Sequence, residues 1–173
     1  MGRLYATPCV QDRDYARFVS YYIDHSHEFD DHYTFHEAIA HLMICLNDSA
    51  ILLFDDEDGK LQGFILYRYE EAGETVFIDS TILSPNYRSS LVFYKGFVDW
   101  VRQVMLDHSS IRRVRFHVVA DHAYLNRLYA KFAKRIEERD GGSRAEFVYE
   151  STFSELKRYL RLDTVTQDLS YIL

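Results

Sequence analysis

The sequence is poor in chain breakers: 173 residues hold only 7 Gly and 2 Pro. That leaves no room for long flexible linkers. Cysteine is equally scarce. Cys9 and Cys45 stand far apart without metal-like spacing, so neither a disulfide framework nor a zinc knuckle is written in the chain, and two buried, reduced thiols are expected. No apolar run approaches the length of a membrane span, and Arg3, Gln11, Asp12, Arg13 and Asp14 interrupt any secretory signal core. A soluble, cytoplasmic protein with no membrane partner is the expectation. Basic charge is missing over a long stretch: residues 18–59 contain no Lys or Arg, and the whole chain carries a formal charge of −7. Nonspecific nucleic-acid binding needs clustered Lys and Arg, so the balance weighs against DNA or RNA partners.

What the chain has in quantity is apolar and aromatic residues, 47% and 16%, with 14 Tyr and 12 Phe. This is the composition of a globular domain whose core is built partly from flat rings, and one domain spanning 1–173 is expected. Acidic residues crowd the stretch without bases, from Asp24 to Asp58, while Arg112, Arg113, Arg115, Arg127, Lys131, Lys134 and Arg135 lie later. An acidic front and a basic back suit a cationic substrate and an anionic cofactor; they equally describe two solvated faces.

The stretch Val76–Trp100 organises the rest. Val76, Phe77, Ile78, Ile82 and Leu83 read as an internal strand, which Pro85 ends because proline cannot donate to a ladder. Ser89 or Ser90 can cap the helix that follows, where Phe93, Phe97, Trp100, Val101 and Val104 repeat at helical spacing. A strand running into a helix leaves unpaired N–H groups at the helix start. These, with the helix dipole and Arg88, can form an anion site; an ordinary strand-to-helix joint fits the same residues.

Around this stretch the predicted elements are a strand over 3–8, a helix over 15–23 capped by Asp12 or Asp14, and a polar loop over 24–33. A second helix follows, capped by Thr34 with Glu37 completing a capping box and Phe35, Ile39, Leu42 and Met43 on its core face. Strands 50–54, 61–69 and 75–83 form a meander through Asp58-Gly59 and Ala72-Gly73, with Asp-Gly expected to place both turn residues at positive φ. The long helix of that stretch ends near Asp107, and Arg113–Val119 alternates as a strand. A strand, a crossover helix and a strand imply parallel pairing. The spacing of Leu125, Leu128, Phe132 and Ile136 predicts a long helix over 123–138, broken by Gly141-Gly142. A final hairpin of strands 145–149 and 153–162 completes the chain, whose edge strands could pair across a homodimer. The fold class is therefore α/β (α+β): a mixed sheet of about seven strands with about four helices and a central parallel pair.

Leu83-Ser84-Pro85-Asn86-Tyr87-Arg88 resembles the end of the fourth strand and the pyrophosphate loop of the GNAT superfamily of N-acetyltransferases, and the element order is similar to the GNAT order along nearly the whole chain. The family loop runs Arg or Gln, two variable residues, Gly, one variable residue, then Gly or Ala; here Leu91 and Phe93 fill the two small positions. Asp121-His122-Ala123-Tyr124-Leu125-Asn126-Arg127-Leu128-Tyr129 resembles the family run from Asp-Asn to Leu-Tyr, with His122 in place of Asn and Leu125 in place of Ala.

The resemblance implies transfer of an acetyl group from acetyl-CoA, as co-substrate, to a primary amine by direct attack. It places Leu83, Arg88, Ser89, Ser90, Leu91, Val92 and Phe93 at the cofactor, the Leu83 N–H polarising the thioester carbonyl, and makes Tyr129 the acid that protonates the leaving thiolate. Asp79, mid-strand in an apolar run, is the candidate base, with His117 on the neighbouring strand as second candidate. The acceptor is a small-molecule or peptide amine. The alternative, motivated by Leu91 and Phe93, is a GNAT-fold binding or assembly module that has lost CoA binding. Within residues 24–37, His32 and His36 stand four apart near Asp30 and Asp31, but no thiolate joins them and His-Glu-x-x-His is absent, so no metal is expected.

Overall fold

The structure, a computed structural model, describes residues 3–28, 34–140 and 144–162. In chain order these form β1 (Tyr5–Pro8), α1 (Asp12–Asp24), α2 (Phe35–Asp48), β2 (Ala50–Asp55), β3 (Leu61–Glu70), β4 (Thr75–Leu83), α3 (Ser90–Asp107), β5 (Arg113–Val119), α4 (Ala123–Tyr129), β6 (Lys134–Asp140), β7 (Ala145–Thr152) and α5 (Phe153–Tyr159). Three 3-10 turns, over Ser26–Glu28, Glu71–Gly73 and Pro85–Tyr87, join them. The seven strands run in the order β1-β2-β3-β4-β5-β7-β6. β4 and β5 pair in parallel, from Thr75 opposite Arg113 to Ile78 opposite Phe116, so the mixed sheet and its parallel pair stand as read. No described helix is long and apolar enough to cross a membrane.

The chain divides into two compact units, Met1–Arg68 with Asp79–Gln103, and Tyr69–Ile78 with Val104–Leu173. In the first, the core gathers Phe18, Tyr22, Leu53, Phe64 and Leu66 under α1 and α2. Phe18 meets Phe64 edge-on at 4.9 Å, the geometry ring quadrupoles favour. Trp100 of α3 is fully buried and stacks on Phe97 at 5.2 Å. α1 begins at Asp12, three residues earlier than expected, and Gln11 rather than an aspartate precedes it; Asp14 instead accepts the Gln11 N–H in the first turn (3.4 Å). Thr34 caps α2 as read, accepting the Glu37 N–H (3.3 Å) while Glu37 accepts the Thr34 N–H (2.8 Å).

The buried face of α2 differs from the expectation. It is Ala38, Leu42 and Cys45, and Phe35 lies 62% exposed with Met43 and Ile44 also outside. From Ala38 to Leu46 only His41 is polar, so composition does not say which stripe turns inward. At the β2–β3 hairpin only Gly59 has positive φ (+74°). Asp56 stands in for the second strained position, its carboxylate accepting the N–H groups of Asp58 (3.0 Å) and Lys60 (2.9 Å), a local turn that aspartate supplies readily. Both thiols are free and buried, and burial pushes Cys9 up to about 11 and Cys45 upward.

The second unit corrects two expectations. The long helix over 123–138 stops at Tyr129, and Lys134–Asp140 is instead an edge strand paired antiparallel with β7. Ile136, expected in the helix core, is 49% exposed. Residues 153–162 are no strand: Phe153–Tyr159 form α5, with Thr152 accepting the Glu155 N–H (3.1 Å) and Phe153 and Leu156 buried. The sheet keeps seven strands because β6 replaces the strand lost to α5. β6 carries a bulge between Arg135 and Glu137 and charge at every position but Ile136, features that discourage a further strand from adding to an edge.

Candidate functional site

In the first unit, β4 delivers Leu83 to the turn Pro85–Tyr87, and α3 starts beyond it. Ser89 is the helix cap. Its hydroxyl accepts the Val92 N–H (3.3 Å), and its carbonyl accepts the Phe93 N–H (2.9 Å). The Arg88 N–H points to the Pro85 carbonyl (3.3 Å) and the Ser89 N–H to that of Tyr87 (2.8 Å). Among the described residues no acceptor is found for the Leu91 N–H. Most amides of the expected cradle are thus turned onto the loop itself. Ser90 opens α3, but its side chain lies outside the described set. Leu91 projects outward, 58% exposed. Val92 is buried and Phe93 stacks on Phe97 at 5.7 Å; both line a small apolar gap with Thr81, Leu83 and Phe97. Phe93 therefore packs inward against the sheet.

Arg88 itself is engaged. Its Nε donates to the Leu83 carbonyl (2.6 Å), and its Nη2 forms an ion pair with Glu28. Glu28 lies sixty residues earlier, so no local pattern announces it. A second tie joins the same segments: the Tyr21 hydroxyl donates to the Gln62 carbonyl (3.0 Å) and shares a hydrogen bond with Ser84 Oγ (2.9 Å). Tyr21 also stacks on His25 at 4.0 Å, and burial pushes its phenol pKa upward. Asp79, on β4 in this unit, forms an ion pair with Arg68 of β3, and its second oxygen is enclosed. The apolar run around Asp79 in sequence gave no sign of that guanidinium.

Gly63 of β3 lies against the end of β4. A Cβ there would sit 2.4 Å from the Ile82 carbonyl oxygen and 3.1 Å from Leu83 Cα. Only glycine permits that approach of two backbones.

In the second unit, Tyr129 ends α4 inside a box of rings: Phe116 at 4.4 Å, Tyr149 at 5.9 Å and Phe132 at 6.1 Å. Desolvation pushes its phenol up to about 12, although part of the residue still reaches the surface. Among the described residues no hydrogen-bond partner is found for its hydroxyl. Tyr149, in contrast, donates to Asn126 Oδ1 (2.8 Å). His122 caps α4, its Nδ1 accepting the Leu125 N–H (3.3 Å).

His117 of β5 lies in a charged cluster: Nδ1 is 2.8 Å from Glu146 Oε2, to which Arg139 Nε also donates (3.2 Å). The hydrogen bond from His117, then its charge and Arg139, hold the Glu146 pKa below the usual carboxylate range. A carboxylate depressed on folding stabilises the protein fully above its unfolded pKa, about 4.3, and loses that contribution as pH falls through the lower folded value. Glu146→Gln is therefore expected to cost about 1–2 kcal/mol near neutrality and to flatten the acid side of the stability curve. Urea unfolding at pH 7 and pH 3.5 measures both; equal losses at the two pH values would refute the linkage.

No group of His, Cys, Asp and Glu among the described residues is arranged to hold a metal. His36 lies exposed on α2, while Asp30, Asp31 and His32 fall outside the described residues.

The sequence matches no protein-family model and no curated protein. Solved structures do match. An acetyltransferase of the GNAT family from Streptococcus pneumoniae aligns at TM-score 0.64 with 14% identity, over 87% of this chain and 99% of its own. The spermidine/spermine N-acetyltransferase of Vibrio cholerae aligns at TM-score 0.64 with 13% identity, over 91% of this chain and 96% of its own. At these identities the likeness establishes the fold: this chain has the GNAT architecture.

Proposed function

We propose that this GNAT-fold chain is an N-acyltransferase that moves an acetyl group from acetyl-CoA to a primary amine by direct attack. The observation that carries the reading is Tyr129: a phenol enclosed by three rings, protonated over the whole working pH range, with no hydrogen-bond partner among the described residues. Acetyl-CoA would supply the thioester carbonyl that the amine attacks. Tyr129 gives its proton to the departing sulfur as the C–S bond breaks and the N–C bond forms. Asp79, directly or through water, or His117 accepts the proton that the amine loses, and water resets both groups. The Leu83 N–H polarises the carbonyl. Arg88 and the Leu91 N–H, with Ser89 to Phe93 around them, meet the diphosphate. The acceptor is a small-molecule or peptide amine, as for the spermidine/spermine enzyme of similar fold.

Calorimetry with CoA and acetyl-CoA tests the donor. Folded protein that gives no heat at millimolar ligand would refute the reading. Glu28 sharpens the test, because its carboxylate occupies the guanidinium meant for the diphosphate. Arg88 is 46% exposed along its side chain, so the pair is worth about 1 kcal/mol or less. Glu28→Gln is expected to tighten CoA binding up to about fivefold at low salt. Unchanged affinity in a variant that binds would detach Arg88 from the donor.

A second reading, a binding or assembly module without CoA, draws support from the same loop. Arg88 and four of the loop amides are already engaged within the chain. Absence of CoA binding in both wild type and Glu28→Gln would favour it.

A further inference from the structure

Two tyrosines share the aromatic box against Phe116, and their hydroxyls are used differently. That of Tyr149 donates to Asn126 Oδ1 (2.8 Å). The Asn126 amide nitrogen sits within hydrogen-bond distance of three carbonyls: Val119 (3.2 Å), Ala120 (3.2 Å) and His122 (3.0 Å). One side chain thus gathers the end of β5, the cap of α4 and the face of β7. α4 has only seven residues, far too few to hold its shape unaided. Tyr129 lies three residues beyond Asn126 on that helix, so its ring direction depends on how α4 is fastened.

We infer that Asn126 is a positioning residue for the proposed transfer: with Tyr149 as its partner, it fastens α4 to β5 and β7 and so aims the Tyr129 hydroxyl. This rests on Tyr129 being the proton donor. It also assigns the two phenols: Tyr149 spends its proton on Asn126, and Tyr129 keeps its own for the reaction. The amide suits this task because it offers an acceptor to the phenol and donors to the carbonyls at once. Aspartate would set a negative oxygen against those carbonyls, and leucine would leave the phenol and the carbonyls without a partner.

The test uses the whole chain, labelled with 13C at tyrosine Cζ, with the Tyr129 resonance identified by its loss in Tyr129→Phe. In wild type that resonance should stay in its neutral position up to pH 11. In Asn126→Ala, water entering the loosened box should bring its titration midpoint down by about one unit or more, toward the ordinary value of about 10, with the tyrosines outside the box unmoved. Tyr149→Phe, which removes one bond and leaves the three carbonyl contacts, should give a smaller shift. With acetyl-CoA and an amine acceptor, Asn126→Ala should lower kcat tenfold or more while the Kd for CoA stays within twofold. An unchanged Tyr129 midpoint in both variants overturns the inference. If Asn126→Ala fails to fold, Tyr149→Phe carries the test alone: a lower midpoint supports the inference and an unchanged one overturns it. A lowered midpoint in a protein that, as wild type, binds no CoA and acetylates no amine refutes the proposed activity and leaves the fastening role standing.

Discussion

Tyr129→Phe is expected to lower turnover about 10²- to 10⁴-fold, the span that a positioned general acid contributes, while CoA affinity changes little. The substitution removes one oxygen, and among the described residues that oxygen has no protein partner, so stability should move little as well. The ring that remains still packs on Phe116 at the distance seen for the phenol, 4.4 Å. This separation of chemistry from folding makes the experiment decisive. A core tyrosine with no reactive role would give a small stability change and full activity. The pH profile adds a second criterion. Because burial holds the phenol at about 12, the protonated form persists below pH 11, and Tyr129 should contribute no falling limb in that range. A descending limb near pH 9 that disappears in Tyr129→Phe would contradict the assigned environment.

Gly63→Ala is expected to cost about 3 kcal/mol or more, at or beyond the upper end of ordinary overpacking. The added methyl would meet the Ile82 carbonyl at 2.4 Å, and backbone cannot swing aside as a side chain does. The end of β4 must move instead, and with it Leu83, whose carbonyl holds Arg88, and Ser84, whose N–H donates to the Gln62 carbonyl (2.7 Å). Urea denaturation reads the stability loss. If the strand end supports donor binding, CoA affinity should fall in the fraction that remains folded. A loss below 1 kcal/mol would show that β3 and β4 adjust more freely than their approach indicates.

The parts of the fold that were legible in the sequence are those where one pattern dominates. β4, α3 and β5 stand out nearly to the residue, because an internal strand, a long amphipathic helix and an alternating strand each leave a strong period. The failures have two distinct causes. Leu125, Leu128, Phe132 and Ile136 mimic a helical stripe, but an edge strand such as β6 faces water and needs no apolar alternation, so nothing local contradicted the helix; the ladder to β7 decided it. α5, expected as a strand, does carry a helical signal: Thr152 and Glu155 form a capping box, and Phe153, Leu156 and Leu160 recur at helical spacing.

For the proposed site, local patterns single out residues but not the groups that hold them. Tyr129, Asp79 and Arg88 were picked from local patterns. Arg68, Glu28 and Asn126, which hold two of them and fasten the helix of the third, lie in other segments or bind through the fold. An isolated glycine inside an apolar strand was the one local hint at Gly63.

Cys9 and Cys45 are both shut inside and hold their protons tightly. A maleimide offered at neutral pH meets almost no thiolate on the native chain. A cysteine engineered at an exposed position would then be the only quick target, and the unaltered protein is already the blank against which dyes or spin labels can report distances within it.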